Sequence, residues 1–133
     1  MPPSIDISLH KPDAMGNILT LRETLVIIWR GRTLQIPIDF SCDGVSTPEF
    51  LYGRVSPAVD PRTLRAGLAH DYVYRTQPAG WSRADADKMF YDLCREDGLG
   101  WWRAQKAYIG LRLFGGKAWK DNKKTLAAKG HQG

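Results

Sequence analysis

The residues of this chain best suited to chemistry are His70, Asp71 and Tyr74, with Asp87 seventeen residues after His70. In a helix, residues three and four apart share a face, so Tyr74 would lie beside His70 and Asp71. A carboxylate on one imidazole nitrogen fixes the tautomer and leaves the other nitrogen to accept a proton. We therefore interpret His70 as a general base, Asp87 as the carboxylate that orients it, and Tyr74 as a hydrogen-bonding partner of that carboxylate.

Asp71, next to His70, is available for a hard cation that polarises a carbonyl or phosphoryl oxygen. Calcium takes six to eight oxygen ligands, so one carboxylate is not enough. Residues 41–46, with Asp43 and the backbone carbonyls around Gly44, are the best source of further ligands. We therefore expect any Ca²⁺ to be held by Asp71 and Asp43.

The same residues also have a purely structural interpretation. Asp71 and Arg75 are four residues apart and would form an ordinary surface ion pair on a helix. His70 and Asp87 would then be a buried pair that ties two helices together, and Tyr74 would be a core residue. The spacing alone leaves both interpretations open.

Strands are predicted in the first third of the chain, which is rich in β-branched residues. Residues 17–21, 25–29 and 33–38 are the strand candidates, and the Arg30-Gly31-Arg32 turn between the last two predicts a hairpin. Residues 39–60 read as a long irregular loop.

Helices are predicted in the second half. The first runs over residues 61–76, because Asp60 and Pro61 suit a helix start. The second follows Ser82, with Asp85 completing an approximate capping box, and ends near Gly98. The third extends from residue 99 or 100 to 114. We therefore predict an α+β fold, with an N-terminal β-hairpin or small antiparallel sheet packed on a three-helix unit.

The charge is concentrated at one end of the chain. Of the net charge of +5, residues 115–133 carry +4, from five lysines and one aspartate. We expect residues 1–116 to form a single domain and residues 117–133 to form a basic, flexible tail. Nucleic acid is therefore not expected as a partner except through this tail.

The chain shows no feature of membrane insertion or secretion. No apolar run approaches the roughly 20 residues that span a bilayer. Residues 1–6 contain neither a basic region nor an apolar core, so no signal peptide is expected.

Cysteine and tryptophan usage completes these expectations. Cys42 and Cys94 have no metal-ligand spacing, which favours two buried free thiols. Trp101 and Trp102 fall on adjacent faces of the third helix, so we expect one to lie in the core and the other to be more exposed.

The HDxxY sequence at residues 70–74, followed by ADxxF at residues 86–90, resembles the active-site helices of the phospholipase A2 superfamily, in the compact form found in parvovirus capsid proteins. The resemblance implies Ca²⁺-assisted hydrolysis of a phospholipid or another ester. It also implies a general base at His70, a Ca²⁺ ligand at Asp71, a carboxylate supporting the histidine at Asp87 and a supporting phenol at Tyr74.

A second resemblance covers more of the chain. Three blocks, FxxDxxSxP at residues 40–48, AHDxxY at residues 69–74 and SRxxADxxF at residues 82–90, are similar to a family of small phage and prophage proteins known as a domain of unknown function. This implies a phage-encoded protein from the tail or lysis region, made in the host cytoplasm and incorporated into the virion.

Three functional hypotheses follow. The first is a metal-assisted ester hydrolase. The second is a tail or baseplate structural or assembly protein, whose partners are other virion proteins. The third is a cell-wall hydrolase used in entry or lysis.

Overall fold

The computed structural model describes the backbone of residues 7–10, 18–43 and 62–128, and the side chains of residues 20–40 and 62–128. The α+β prediction is confirmed: small antiparallel sheets precede a group of helices. A three-stranded sheet has the order β1-β2-β5, and β3 and β4 form a separate two-stranded sheet. The strands are β1 Ile7–His10, β2 Ile18–Leu21, β3 Leu25–Trp29, β4 Arg32–Ile36 and β5 Ser41–Asp43.

The predicted hairpin is confirmed as β3 and β4. Its two turn residues, Arg30 and Gly31, both have positive φ, at 51° and 76°. Such turns match the twist of the flanking strands. Alternate residues of both strands, including Ile27 and Ile36, face the core. The second strand ends at Ile36 and not at residue 38, because Pro37 has no N–H to continue the ladder.

Within residues 62–128 the chain forms four helices: α1 Leu64–Thr76, α2 Arg83–Glu96, α3 Trp101–Phe114 and α4 Gly116–Ala128. The start of α1 at Leu64 is later than expected, and the predicted cap at residues 60–61 lies outside the described residues. The capping box of α2 is confirmed, since Ser82 and Asp85 hydrogen-bond each other's backbone N–H. Gly98 takes φ +98° just after α2, as a helix-ending glycine does.

The C-terminal segment differs from the expected tail, because residues 116–128 form α4. Trp119 anchors this helix to α1. Its ring lies edge-on to Tyr74 at 5.2 Å, and its backbone carbonyl accepts a hydrogen bond from Gln77 Nε2 at 2.9 Å. These contacts pack the first part of the basic helix against α1.

The core lies between the hairpin, α1, α2 and the inner side of α3. Its largest fully buried side chains include Leu21, Ile27, Leu68, Met89 and Phe90. Burying a side chain of this size contributes about 1.5–3 kcal/mol to stability. None of the described helices is long and apolar enough to cross a membrane.

The predictions for the cysteines and for the two tryptophans of α3 have different outcomes. Cys94 is a buried thiol, as predicted, whereas the side chain of Cys42 lies outside the described residues. The prediction that one of Trp101 and Trp102 is a core residue is wrong, since 55% and 69% of their surfaces are exposed. The inner side of α3 is instead made by smaller residues such as Ala104 and Ala107.

Candidate functional site

The carboxylate of Asp87 is the centre of the candidate site. It projects from α2, is fully buried, and meets two side chains from α1. Its Oδ1 lies 2.8 Å from His70 Nε2 and accepts a 2.6 Å hydrogen bond from the Tyr74 hydroxyl. The structure therefore brings together the three residues that the sequence analysis selected, with Tyr74 contacting the carboxylate as predicted.

Two arginines complete the surroundings of Asp87. Arg112, from α3, donates a 2.8 Å hydrogen bond to Asp87 Oδ2. Arg83 Nε donates to the Tyr74 hydroxyl at 3.2 Å and lies 4.0 Å from Asp87 Oδ2. Arg83 also donates to the carbonyl oxygens of Leu111 and Arg112, at 2.9 and 2.8 Å, and so joins the start of α2 to the end of α3.

The sequence analysis missed both arginines. Arg83 precedes Asp87 by four residues, and this helical spacing is a signal that could have found it. Arg112 is twenty-five residues from Asp87 and has no local signal, since only the packing of α3 brings it there.

Electrostatics keep Asp87 ionised. Burial alone would raise its pKa, but hydrogen bonds from His70, Tyr74 and Arg112 hold the pKa below its ordinary value. The pKa of Tyr74 is raised well above its ordinary value, by burial and then by the Asp87 carboxylate. Tyr74 is therefore a neutral phenol that donates a hydrogen bond, and Asp87 is a carboxylate that accepts it.

This arrangement determines the tautomer of His70. An ionised carboxylate only accepts hydrogen bonds, so Nε2 of His70 must carry the proton. In the neutral ring, Nδ1 is then the basic nitrogen. The ring is fixed by Tyr74, whose centroid is 4.1 Å away, and by Phe90 at 5.6 Å. The His70 side chain is 13% exposed, so part of it is open to solvent.

The two expected cation ligands, Asp71 and Asp43, lie on different elements. Asp71 lies on α1, where its Oδ2 is 3.1 Å from Arg75 Nε, the i,i+4 pair of the structural interpretation. Asp43 belongs to β5, and its side chain lies outside the described residues. Within residues 7–10, 18–43 and 62–128 there is no cluster of three or more His, Cys, Asp or Glu side chains that could hold a metal ion. Of the two expected Ca²⁺ ligands, Asp71 is therefore the one whose side chain is described, and it is paired with Arg75.

Tyr74 is also held from the side of the α3–α4 junction. A Cβ atom at Gly115 would lie 2.6 Å from the Tyr74 hydroxyl and 2.6 Å from the carbonyl oxygen of Leu111. Gly115 has an ordinary right-handed backbone, with φ −77°. Space, and not backbone conformation, therefore requires glycine here.

Gly115→Ala should lower the free energy of unfolding by about 1–3 kcal/mol, because the added methyl group must displace the Tyr74 hydroxyl or the backbone. Without that clash, alanine at a helical position would instead stabilise by up to about 1 kcal/mol. Gly116→Ala is the matched control, since its Cβ would meet only Arg83, at 3.7 Å or beyond. Urea unfolding measures both variants. The free energy of unfolding should fall in Gly115→Ala and should rise or stay unchanged in Gly116→Ala. Equal effects would show that the close approach to Tyr74 is unimportant.

Comparison with known proteins identifies a family that the chain matches. Residues 19–111 match the model of a family described as "Protein of unknown function (DUF1353)". No curated protein and no solved structure matches the chain. The match includes α1, α2 and most of α3, and so contains His70, Tyr74 and Asp87. Because it covers more than half of the 133 residues, the chain belongs to the DUF1353 family.

Proposed function

We propose that this protein is a hydrolase that uses His70 as a general base to cleave an ester, with phospholipid as the substrate class. The observation that carries the proposal is the 2.8 Å contact between His70 Nε2 and Asp87 Oδ1. The orienting carboxylate is buried and held by Tyr74, so the ring is set in one orientation before substrate binds. A resemblance to phospholipase A2 at the HDxxY and ADxxF sequences supports the choice of ester.

In the proposed reaction, a water molecule near His70 gives a proton to Nδ1 while its oxygen attacks the ester carbonyl carbon. The resulting tetrahedral intermediate carries the negative charge on the former carbonyl oxygen. When it collapses, the bond to the alcohol oxygen breaks, and the proton on Nδ1 passes to that oxygen. Fatty acid and alcohol are released, and His70 returns to its neutral form.

Asp87 stabilises the transient imidazolium through Nε2 throughout this cycle. Arg112 on the other carboxylate oxygen keeps Asp87 from taking the proton itself, at the cost of neutralising part of its charge. A Ca²⁺ ion held by Asp71 and Asp43 would add Lewis-acid stabilisation of the oxyanion. Asp71 would first have to release Arg75, to which it is paired at 3.1 Å.

A structural role in a phage tail or baseplate is the second candidate. The observation that favours it is that both oxygens of Asp87 are satisfied within the protein, by His70, Tyr74 and Arg112. A buried network of this kind is sufficient for a purely structural role, in which it joins α1, α2 and α3. The hydrolase proposal requires water and substrate to reach Nδ1 of His70, whereas the structural role does not.

The purified protein should release fatty acid from phospholipid vesicles in the presence of Ca²⁺ and lose this activity when a chelator is added. Calorimetric titration should show Ca²⁺ binding to the wild type, weakened at least about tenfold in Asp71→Asn because a charged ligand is lost. Asp121→Asn is the matched control, since Asp121 is also in an i,i+4 pair, with Lys117 at 2.7 Å. It should bind Ca²⁺ like the wild type.

Two negative results would have different consequences. Hydrolysis without Ca²⁺ binding would remove Asp71 and Asp43 from the mechanism and leave the His70–Asp87 pair. No release of fatty acid under any condition, with no Ca²⁺ bound, would overturn the hydrolase proposal in favour of the structural role.

A further inference from the structure

The outward side of α3 exposes an unusual amount of apolar surface. Trp102, Ile109 and Leu113, spaced by seven and four residues, fall on one side of the helix and are 69%, 49% and 70% exposed. Trp101 lies beside them, with its ring 6.0 Å from that of Trp102. Single exposed apolar residues are normal, but a row of large ones on one helix marks an interaction site.

Basic residues are concentrated on the same two helices, α3 and α4. Residues 101–128 carry seven lysines and arginines and one aspartate, a net charge of +6. The whole chain is +5, so the remaining residues have a net charge of −1. The charge is thus concentrated on α3 and α4, and not spread over the protein. The basic residues of this pair of helices are Arg103, Lys106, Arg112, Lys117, Lys120, Lys123 and Lys124.

The lysines of α4 are arranged on its outward side. Trp119, Asn122 and Leu126 are half-buried and recur at i, i+3 and i+7, which defines the inner side of the helix. Lys117, Lys120 and Lys124 recur with the same spacing on the opposite, exposed side. α4 follows α3 after Gly115, so the lysine row and the apolar row belong to adjoining helices.

We propose that the outward surface of α3 and α4 binds the surface of an anionic lipid bilayer. Tryptophan suits the boundary between lipid headgroups and acyl chains, and aliphatic side chains such as Leu113 gain by entering it. Lysines beside them are attracted to the negative headgroups. Lys106, one turn from Trp102, can lay its aliphatic stem along the apolar row and place its charge among the headgroups.

The charges distinguish this partner from two others. A second copy of the chain would place two positively charged surfaces against each other, which is unfavourable. Nucleic acid would engage the lysines, but it would leave the Trp102, Ile109 and Leu113 row in water. An anionic bilayer satisfies both sets of side chains. This inference goes beyond the proposed function and does not depend on catalysis by His70.

The experiment is co-sedimentation of the full chain with vesicles of phosphatidylcholine alone or mixed with phosphatidylglycerol. Binding should require phosphatidylglycerol and weaken as salt is raised. The double variant Trp102→Ser/Leu113→Ser should reduce affinity at least about tenfold, because its apolar contacts are lost. The triple variant Lys117→Gln/Lys120→Gln/Lys124→Gln should reduce it about a hundredfold.

Two controls separate this inference from other causes. Ile28→Ser removes an aliphatic side chain that is equally exposed, at 68%, but lies on β3 away from the basic helices. It should bind vesicles like the wild type. His70→Asn should also bind normally whether or not it hydrolyses lipid, so a failure of the proposed function leaves this result unaffected.

Several outcomes would overturn the inference. Absence of vesicle binding would do so directly, as would equal binding to neutral and anionic vesicles. Self-association in sedimentation velocity that disappears in Trp102→Ser/Leu113→Ser would assign the row to a second copy. DNA binding that needs the lysines but not Trp102, without vesicle binding, would assign the surface to nucleic acid.

Discussion

His70→Asn should lower kcat/KM for ester hydrolysis by about 10²–10⁴-fold, the usual contribution of a general base. Asparagine offers no basic nitrogen at the position of Nδ1, and its amide is too short to reach the position of Nε2, so the hydrogen bond to Asp87 is lost as well. Since the His70 side chain is partly exposed and only one residue changes, the protein should still fold. Vesicle hydrolysis measures the activity, and circular dichroism with urea unfolding checks the fold.

Tyr74→Phe provides the comparison for His70→Asn. It removes one of the two hydrogen bonds to Asp87 Oδ1 and leaves the histidine in place. We expect a smaller loss of activity, together with a loss of about 1.5–3 kcal/mol in stability, because the bond is made to a charged acceptor. Full activity in His70→Asn would show that this residue takes no part in the reaction, whatever its geometry.

Asp87→Ala should lower the free energy of unfolding by about 3–5 kcal/mol, since it removes the acceptor shared by His70, Tyr74 and Arg112. Domains of this kind are stable by only about 5–15 kcal/mol, so much of the total would be lost. Urea unfolding at neutral pH measures the effect. Asp121→Asn, in an exposed pair on α4, should leave the unfolding midpoint essentially unchanged.

Asp87→Asn is the milder variant if Asp87→Ala does not fold. Its amide oxygen can still accept from His70 and Tyr74, but its NH₂ group would face the guanidinium of Arg112, donor against donor. We expect Asp87→Asn to lower the free energy of unfolding by about 1.5–3 kcal/mol. Wild-type stability in Asp87→Asn would show that the charge of the carboxylate is unimportant.

The contribution of Asp87 should depend on pH in a defined direction. The folded protein lowers its pKa, so the stabilisation is complete above the ordinary aspartate pKa of about 3.9 and is lost as the pH falls through the folded value. The stability difference between wild type and Asp87→Asn should therefore narrow below about pH 4. Urea unfolding at several pH values tests this, and a constant difference would contradict it.

Much of the fold could be predicted because its signals are local. The Arg30–Gly31 turn, the Ser82–Asp85 capping box and the glycine at residue 98 each depend on residues within a few positions of one another. Helical spacing likewise placed His70 and Tyr74 on the same side of α1. Pairing them with Asp87 required only that α1 and α2 pack together, as consecutive helices commonly do.

The remaining features depend on contacts between distant parts of the chain. α4 was expected to be a tail because lysine-rich sequence shows little apolar pattern, yet Trp119 packs on Tyr74 and orders it. Trp101 and Trp102 were expected to divide between core and surface, and both are exposed, since small residues line the inner side of α3.

The sequence by itself determined which side chains could form the site, because residue type and helical period select His70, Tyr74 and Asp87. Only the tertiary structure decided the state of that site. Arg112 reaches Asp87 from a third helix and adds to the hydrogen bonds from His70 and Tyr74 that keep the carboxylate ionised, and Gly115 leaves room for the Tyr74 hydroxyl. Both effects depend on how α3 packs against α2 and leads into α4, and an arrangement of helices in space leaves no periodic pattern in the chain.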